Sequence, residues 1–249
     1  MGVVTLGLDI GQRVDPTALA ALEVGLRPRE DRKGTEAHYT ARYLARLPLG
    51  TPYPQVAARV AEVATGIARR TGTRPILYVD ATGVGTPVLD ALRAAQVPAR
   101  IVGVFFTHGD RRVMDDASGE VRLGKAWLVT RLQVLLQGGR LHLPRTAEAA
   151  ALQQELLDYE IRIDTDANDK YGAFKVGSHD DLVTALGLAC QVEPRRQGEA
   201  VVGGQRALPA WGGSDDLSFG HPAYGRRAAP GDVPVEAIVR SRHRNPFDY

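Results

Sequence analysis

Short apolar runs mark where this chain is expected to form buried strands. Three of them hold few polar residues and are bounded by turn-forming residues: VVTLGLDI (3–10), PILYVD (75–80) and ARIVGVFF (99–106). Continuous apolar runs of this length are typical of strands that are covered on both faces. More polar but β-compatible stretches predict further strands at 17–26, 38–47 and 140–144. The first three strands of the chain are therefore expected to meander before any helix begins.

Helical periodicity takes over between the later strands. In residues 53–70 apolar side chains recur every three or four residues, Pro54 lies in the first turn and Gly72 follows the end, as in an amphipathic helix. The same reasoning predicts further helices at 88–95, 125–139, 146–160 and 179–191. Strands and helices that alternate in this way predict an α/β fold, with a mixed β-sheet that carries helices on both faces.

Three segments fall outside this alternation. Residues 107–124 carry the turn signal Asp-Asp-Ala-Ser-Gly between two short arms and predict a protruding β-hairpin. Residues 161–176 are expected to form a loop or a ribbon. From residue 194 onwards the sequence is rich in Gly, Pro and Arg and has no apolar period. We therefore expect one domain over residues 1–193 and a disordered tail over residues 194–249.

Composition narrows the class of protein. The chain has 249 residues, of which 44% are hydrophobic and 24% charged, as in an ordinary globular protein. No stretch approaches the roughly 18 apolar residues of a membrane span, and the first residues lack the pattern of a signal peptide. The single cysteine, Cys190, excludes a disulfide within the chain and a cysteine-based zinc centre. We therefore expect a cytoplasmic protein.

The net charge of +2 is carried by the last part of the chain. From Pro194 onwards there are eight arginines and six acids, so the preceding residues are balanced. A neutral domain with a weakly basic extension permits a polyanionic partner but does not require one.

Acidic residues lie where the predicted sheet would form a site. Asp9 and Asp80 end two of the buried strands, and Asp180 and Asp181 open the last predicted helix. Sites in such sheets form at the carboxyl ends of strands. Carboxylates from separate elements suit hard divalent ions such as Mg²⁺ or Mn²⁺, and two such ions about 4 Å apart can hydrolyse a phosphodiester. Taken one at a time, the same acids are equally compatible with turns and with a favourable interaction with a helix dipole.

The neighbours of these acids suggest separate roles. Asp180 and Asp181 are about 100° apart around a helix, so they cannot face one ion equally. We favour Asp181 as the metal ligand and Asp180 as a supporting or helix-capping residue. His179 is expected to support the metal ligands, and the alternatives are a capping role or an ordinary surface histidine. Gly7 and Gly11 are expected to leave room beside the first acid for a substrate backbone.

Four blocks of sequence together resemble the C-terminal nuclease domain of tailed-phage terminase large subunits. They are LGLDIG-x₅-TALA (6–20), YVDATGVGTPVLDAL (78–92), GKAWLVTRLQVLLQGGRLHLP (124–144) and KVGSHDDLVTALGLA (175–189). The resemblance covers residues 3–192, and its more specific parts are the His-Asp-Asp helix and the Val-Asp-Ala-Thr-Gly-Val-Gly turn. It implies a ribonuclease H-like fold and an endonuclease that cuts concatemeric viral DNA during packaging. It also implies metal ligation by Asp9, Asp80 and the Asp180/Asp181 pair.

One part of the family's pattern is absent from this sequence. Family members normally carry a packaging ATPase, but no G-x-x-x-x-G-K-[ST] phosphate loop occurs here, and GVGTP (83–87) lacks the lysine. The resemblance implies double-stranded DNA as one partner, and a separate packaging ATPase, a small terminase subunit or a portal are candidates for others. A split gene, a separately encoded nuclease subunit and a domain excised from a longer chain are all compatible with the missing ATPase. The implied location is the cytoplasm of the host cell.

A sparse set of basic residues lies near the predicted hairpin. They are Arg111, Arg112, Arg122 and Lys125, the last of which begins a predicted helix. Basic side chains on a projecting arm suit sequence-independent contacts with DNA phosphates. The alternative is a solvated hairpin whose charges only keep it soluble.

Other classes of protein share parts of this pattern. Sugar kinases and actin-like ATPases also open with an Asp-Ile-Gly turn, but they need two duplicated domains, for which this chain is too short. A Holliday-junction resolvase of the same fold and a non-catalytic packaging module remain alternatives. Metal-dependent cutting of DNA would distinguish a nuclease from the ATPase and the module, and a preference for four-way junctions would identify the resolvase.

Overall fold

A mixed β-sheet forms the centre of the protein. The computed structural model describes residues 2–11, 15–29, 34–83, 85–163, 169–172 and 179–192. Its strands in the sheet are β1 (Val3–Asp9), β2 (Ala18–Pro28), β3 (Thr35–Arg46), β4 (Ile76–Asp80), β5 (Arg100–Thr107), β6 (Arg112–Met114), β7 (Val121–Gly124) and β8 (Leu141–His142). Across these described strands the order is β6-β7-β5-β4-β1-β2-β3-β8, and all run in one direction except β2 and β6.

Helices follow the strands as the periodicity predicts. They are α1 (Tyr53–Thr71), α2 (Gly85–Ala94), α3 (Lys125–Gln137), α4 (Ala147–Asp158) and α5 (Asp181–Ala189). α1 ends at Gly72, whose positive φ of 69° suits glycine, and the side chain of Thr146 caps α4 by accepting the Ala149 N–H at 3.2 Å. None of the helices in the described ranges has both the length and the apolar character that crossing a membrane requires.

The sheet separates two hydrophobic cores. Along β1, Val4, Leu6 and Leu8 face the core that α1 and α2 close, whereas Thr5 and Gly7 face α5. Successive side chains point to opposite faces of a strand, so alternate residues of β1 face different cores. α3, α4 and α5 close the second core. The predicted arrangement of helices on both faces is confirmed.

The segment predicted as a protruding hairpin is instead part of the sheet. Its arms, β6 and β7, pair with each other, and β7 also pairs in parallel with β5. Val121 and Leu123 are fully buried while Arg122 between them is exposed, which is the alternation of a strand with one buried face. The turn signal located the hairpin correctly, but its apolar arm joins the core. The turn itself is exposed, and Asp115 accepts backbone hydrogen bonds there from Ala117 and Ser118.

Along the chain, a second and smaller sheet is formed by the two strands between α4 and α5. β9 (Glu160–Ile163) and β10 (Asp169–Gly172) form an antiparallel pair that is separate from the main sheet. The ribbon is one of the two forms predicted for this part of the chain. The predicted tail from residue 194 onwards lies outside the described residues.

Candidate active site

Asp9 and Asp80 lie side by side at one edge of the sheet. β1 and β4 are parallel neighbours with Leu8 opposite Val79, so Asp9 and Asp80 come next on the two strands at the same level. Both are therefore at the carboxyl ends of their strands, as the sequence predicts. This is the edge at which sites form in sheets of this kind.

The two acids also point to the same face. Asp9 shares its face of β1 with Thr5 and Gly7, which contact α5, because side chains alternate along a strand. Asp80 shares its face of β4 with Tyr78, which belongs to the core beneath the same helix. The start of α5 is therefore the element that can complete the site.

α5 runs antiparallel to β1 and brings its first residues over the end of that strand. The Thr5 hydroxyl donates to the Ala189 carbonyl at 2.7 Å, and Gly7 lies against the backbone at Ala185. One turn further towards the start of the helix, the same direction leads to Asp181, above the level of Asp9. The sheet register and the helix direction together assemble the predicted acids.

The glycines beside Asp9 do not serve the expected purpose. A Cβ atom at Gly7 would collide with the carbonyl oxygen of Ala185, so this glycine makes room for α5 and not for substrate. A Cβ atom at Gly11 would collide with the carbonyl group of Asp15 in the following turn. Both glycines are needed for close packing within the protein, which corrects the prediction of an open approach to Asp9.

The acids are close enough to influence one another's ionisation. Burial raises the pKa of Asp9 well above its usual value, and the charges of Asp80, Asp180 and Asp181 raise it further, whereas Lys125 lowers it. Of the two acids at the start of α5, Asp180 has the larger effect on Asp9. A cluster of like charges with this property is one that a divalent cation would stabilise.

Asp80 is held by the turn that follows β4. Burial raises its pKa, while hydrogen bonds from Thr82 and the charge of Lys125 lower it and Asp180 raises it. The backbone N–H of Thr82 donates to Asp80 Oδ1 at 2.8 Å, and the Thr82 hydroxyl accepts the backbone N–H of Phe106 at 2.7 Å. These bonds tie the carboxylate to β5 and fix its orientation.

Asp181 is held by Arg46, which Glu155 holds in turn, and the sequence singled out neither residue. Its side chain is 2% exposed, and its Oδ2 accepts a hydrogen bond from Arg46 Nε at 2.7 Å. Arg46 Nη2 also pairs with Glu155 Oε1, and Glu155 Oε2 accepts the backbone N–H of Val183 at 3.0 Å. A signal for Glu155 was present in the sequence, since it lies three residues after Leu152 on the buried side of α4. No local pattern marked Arg46.

The capping role expected of Asp180 falls to Glu155. Asp180 occupies the N-cap position of α5, but its side chain makes no capping hydrogen bond there. The N–H of Val183, in the first turn of the helix, is instead bound by Glu155. Asp180 raises the pKa of both Asp9 and Asp80, so its charge belongs to the acidic cluster.

His179 lies close to two of the neighbouring acids. Its Nδ1 is 3.6 Å from Asp15 Oδ1 and 4.0 Å from Asp181 Oδ1. Within the described ranges, His179 Nδ1 and Asp181 Oδ1 are both buried without a hydrogen-bond partner. A buried carboxylate oxygen in this state suits a cation, because leaving it unpaired is costly.

The cluster is not a closed ligand cage as it stands. Among the residues that the structure describes, no three His, Cys, Asp or Glu side chains converge closely enough to hold a metal ion. Asp9 and Asp80 share an edge and a face of the sheet, and Asp180 and Asp181 lie at the start of the helix that packs on that face. The hard oxygen donors of all four match Mg²⁺ and Mn²⁺. The donor chemistry and the unpaired Asp181 Oδ1 therefore fit a divalent ion.

The basic residues predicted to bind DNA fall into different environments. Lys125 is the first residue of α3, its Nζ is 5.5 Å from the centre of the Phe106 ring, and it lowers the pKa of both Asp9 and Asp80. Its charge therefore acts directly on the acidic cluster. Arg111 is exposed and lies next to the start of α3. Its backbone carbonyl accepts the N–H of Gly124, the residue before Lys125, at 2.7 Å.

Arg112 and Arg122 are less well placed for a substrate at the acids. Arg112 Nε donates to Gln191 Oε1 at 3.2 Å. Burial raises the pKa of Tyr78, and the charge of Arg112 together with a hydrogen bond from it partly offsets that rise. Arg122 lies opposite Phe105 in the sheet, on the face that α1 and α2 cover and away from the acids. A phosphate contact by Arg112 would compete with its internal bonds.

Comparison with solved structures identifies the architecture. The nuclease of the large terminase of the thermophilic phage G20c, with bound magnesium, superimposes with a TM-score of 0.50 at 19% identity, over 76% of this chain and 80% of that one. A variant nuclease domain of the large terminase subunit of bacterial virus Sf6, with manganese and β-thujaplicinol, gives 0.50 at 15% identity, over 78% and 90%. This chain has the fold of the large-terminase nucleases.

The likeness confirms the predicted ribonuclease H-like fold with its mixed sheet and flanking helices. At such low identity it is a likeness of fold. No known family profile matches the sequence. No curated protein matches it either.

Proposed function

We propose that this protein is a divalent-metal-dependent endodeoxyribonuclease that cuts concatemeric phage DNA during packaging. The observation that carries the proposal is the gathering of Asp9, Asp80, Asp180 and Asp181 at one edge of a terminase-nuclease fold, where they interact electrostatically. Two proteins that share the fold are described with magnesium or with manganese bound. The same ions are the ones that the oxygen donors of this site would prefer.

In this proposal the four aspartates together would coordinate two metal ions. Asp9, Asp80 and Asp181 would be ligands, and Asp180 would complete the negative charge of the site as a ligand or beside one. When bound, such ions activate a water molecule and stabilise the leaving oxygen of a phosphodiester. Thr82 orients Asp80, and Arg46 orients Asp181.

DNA would approach the carboxyl edge of the sheet, where Lys125 and Arg111 add positive charge. Both follow the strands that end at this edge, and neither position suggests the reading of a base sequence. Binding would be driven by phosphate contacts and would weaken as the salt concentration rises. These 249 residues contain no phosphate loop, so the ATP hydrolysis that drives packaging would take place outside them, and a small terminase subunit or portal would be a further partner.

Plasmid cleavage tests the proposal. The protein should cut supercoiled DNA with Mn²⁺ or Mg²⁺, should not cut in EDTA, and should cut poorly with Ca²⁺, whose looser coordination does not hold the reacting groups in line. Asp9→Ala and Asp80→Ala should each abolish cutting while the protein stays folded.

Asp90→Ala provides the matched control. Asp90 is an exposed acid that pairs with Arg93 at 3.1 Å, so its loss should leave activity unchanged. Cutting in the presence of chelator, or full activity of Asp9→Ala, would exclude the proposed mechanism. A strong preference for four-way junctions over linear duplex would favour the resolvase alternative.

A further inference from the structure

Arg46, Glu155 and Asp181 form a buried clamp that joins three elements. Arg46 comes from the end of β3, Glu155 from α4 and Asp181 from the start of α5. One guanidinium group binds both acids, through Nε to Asp181 Oδ2 at 2.7 Å and through Nη2 to Glu155 Oε1. Glu155 and Asp181 are only 5% and 2% exposed, so both carboxylates are shielded from solvent.

The clamp fixes the rotation of the Asp181 carboxylate. Arg46 holds one of its oxygens, Oδ2, by a charge-assisted hydrogen bond. Glu155 holds Arg46 from the other side and binds the Val183 N–H through its second oxygen, so the guanidinium group is itself fixed to α5. Oδ1 is then the oxygen of Asp181 that is buried without a hydrogen-bond partner in the described structure.

We propose that Arg46 and Glu155 are positioning residues that offer a single oxygen of Asp181 to the cation and thereby favour Mg²⁺ and Mn²⁺ over Ca²⁺. Calcium accepts six to eight oxygen ligands and often takes both oxygens of a carboxylate, whereas magnesium requires compact octahedral geometry. With Oδ2 held by Arg46, Asp181 can offer only Oδ1, and a single carboxylate oxygen suits the compact coordination of magnesium. Release of Oδ2 would let the same carboxylate bind with both oxygens. The inference rests on the proposed metal-dependent function.

A purely structural ion pair would have a different signature. Breaking a buried pair by removing one partner destabilises a protein, whatever the pair does for function. Removing an ion pair with only a structural role would therefore weaken the binding of all cations at a nearby site in similar proportion. A change in the ratio of the calcium and manganese affinities would instead require a change in how the carboxylate is presented.

Two variants of the full chain separate these cases. Arg46→Lys keeps the positive charge but replaces the planar fork with a single donor group. The double variant R46Q/E155Q removes one charge of each sign, so the net charge of the protein stays the same. The matched controls are Arg42→Lys and R42Q/E23Q. Arg42 lies on β3, about 13 Å from Arg46 along the strand, and pairs with Glu23 of β2 at 2.9 Å.

Isothermal titration of each folded variant with Mn²⁺ and with Ca²⁺ gives the two dissociation constants. In both Arg46 variants we expect Mn²⁺ affinity to fall by about tenfold or more, the usual loss when a residue that orients a metal ligand is removed. Ca²⁺ affinity should fall less, because the released carboxylate can bind that ion with both oxygens, so the preference for Mn²⁺ over Ca²⁺ should fall. The Arg42 variants should keep the wild-type ratio. An unchanged ratio in a folded R46Q/E155Q protein would overturn the inference, and so would an equal change in the Arg42 controls.

Failure of this inference differs from failure of the proposed function. If the wild-type protein binds neither ion and cuts no DNA in their presence, the proposed function is wrong. If the wild type binds Mn²⁺ and cuts DNA while the Arg46 variants keep its ion preference, only the role of the clamp is wrong. Circular dichroism of every variant confirms that the compared proteins are folded.

Discussion

At the scale of single residues, the candidate site places negative charge where charge is costly. Burial and three neighbouring carboxylates raise the pKa of Asp9. A raised pKa in the folded state means that folding favours the protonated acid. Ionised Asp9 therefore opposes folding once the pH exceeds the ordinary pKa of an aspartate, and the penalty grows until the raised pKa is reached. Near neutral pH, the metal-free protein is less stable than one with an uncharged residue at this position.

Asp9→Asn should therefore raise the melting temperature of the metal-free protein near neutral pH. Each kcal/mol of relief corresponds to about 2–4 °C for a domain of this size. The gain should shrink as the pH is lowered towards about 4, where the aspartate of the unfolded wild-type chain is protonated too. Thermal unfolding in EDTA, followed by circular dichroism across this pH range, measures both effects. Asp90→Asn, at an exposed position, should change little, and a lower melting temperature for Asp9→Asn would contradict the argument.

At the scale of elements, α5 is the part of the structure on which the site depends. Every residue from Asp181 to Ala189 is buried, as expected for a helix in the interior of a protein. Full burial of a leucine stabilises by about 1.5–3 kcal/mol, so the leucines of this helix help to hold its acidic end in the interior. Gly7 on β1 allows α5 to approach the sheet closely, since a Cβ atom there would collide with the backbone of Ala185. Gly187 on α5 allows close packing against α3, since a Cβ atom there would collide with the side chain of Leu128.

Gly7→Ala should move α5 away from β1. The atoms that a new methyl group would meet first are backbone atoms of Ala185 and Ala189, which cannot rotate aside. We expect a loss of about 1–3 kcal/mol in the free energy of unfolding, together with reduced cleavage in the fraction that stays folded. Urea denaturation and plasmid cleavage measure the two effects.

Gly25→Ala is the control for this substitution. It lies on the neighbouring strand β2, and nothing would be within 4 Å of its new Cβ atom. Its stability and activity should equal or exceed those of the wild type, because alanine restricts the unfolded chain more than glycine does. Wild-type behaviour of Gly7→Ala would mean that the contact between β1 and α5 is not needed for the site.

At the scale of the whole molecule, the single thiol reports on the integrity of the core. Cys190 follows the last residue of α5, is fully buried, and has its pKa raised to about 12 by burial. The reactive thiolate is therefore scarce at ordinary pH, and a reagent can reach it only when the core opens.

A thiol-specific reagent should accordingly label the native protein far more slowly than the protein unfolded in urea. If Mn²⁺ binds at the acids, it should slow the labelling further, because a ligand of the native state lowers the population of open states. The labelling rate, followed by absorbance with and without Mn²⁺, tests this directly. Rapid labelling of the native protein would contradict the burial of Cys190.

The sequence predicted the parts of this structure that depend on local patterns. Apolar runs that end on an acid located β1 and β4, and from them Asp9 and Asp80 at one edge of the sheet. The helix start at Asp181 was predicted to within the usual error of such boundaries. Asp180 was assigned a supporting or capping role, and the structure gives the capping to Glu155.

Features that depend on distant contacts were not predictable in the same way. Arg46 reaches Asp181 across 135 positions of the chain, and no local pattern encodes such a pair. The turn signal of the hairpin says nothing about the partner of its arms, although the alternation around Arg122 does indicate one buried face. The glycine beside Asp9 was assigned to substrate because the sequence alone does not reveal that α5 fills that space.

The pairing of β1 with α5 also determines when the site can exist. Asp9 lies near the beginning of the chain, and the hydrogen bond between Thr5 and Ala189 spans 184 positions. A ribosome that adds about 5–20 residues per second needs roughly 10–35 s to pass from Asp9 to Asp181. Throughout that time the growing chain holds only part of its acids and cannot assemble the cluster. A nuclease of the proposed kind would therefore stay harmless to the cell's DNA until its own synthesis had passed the last of the four acids.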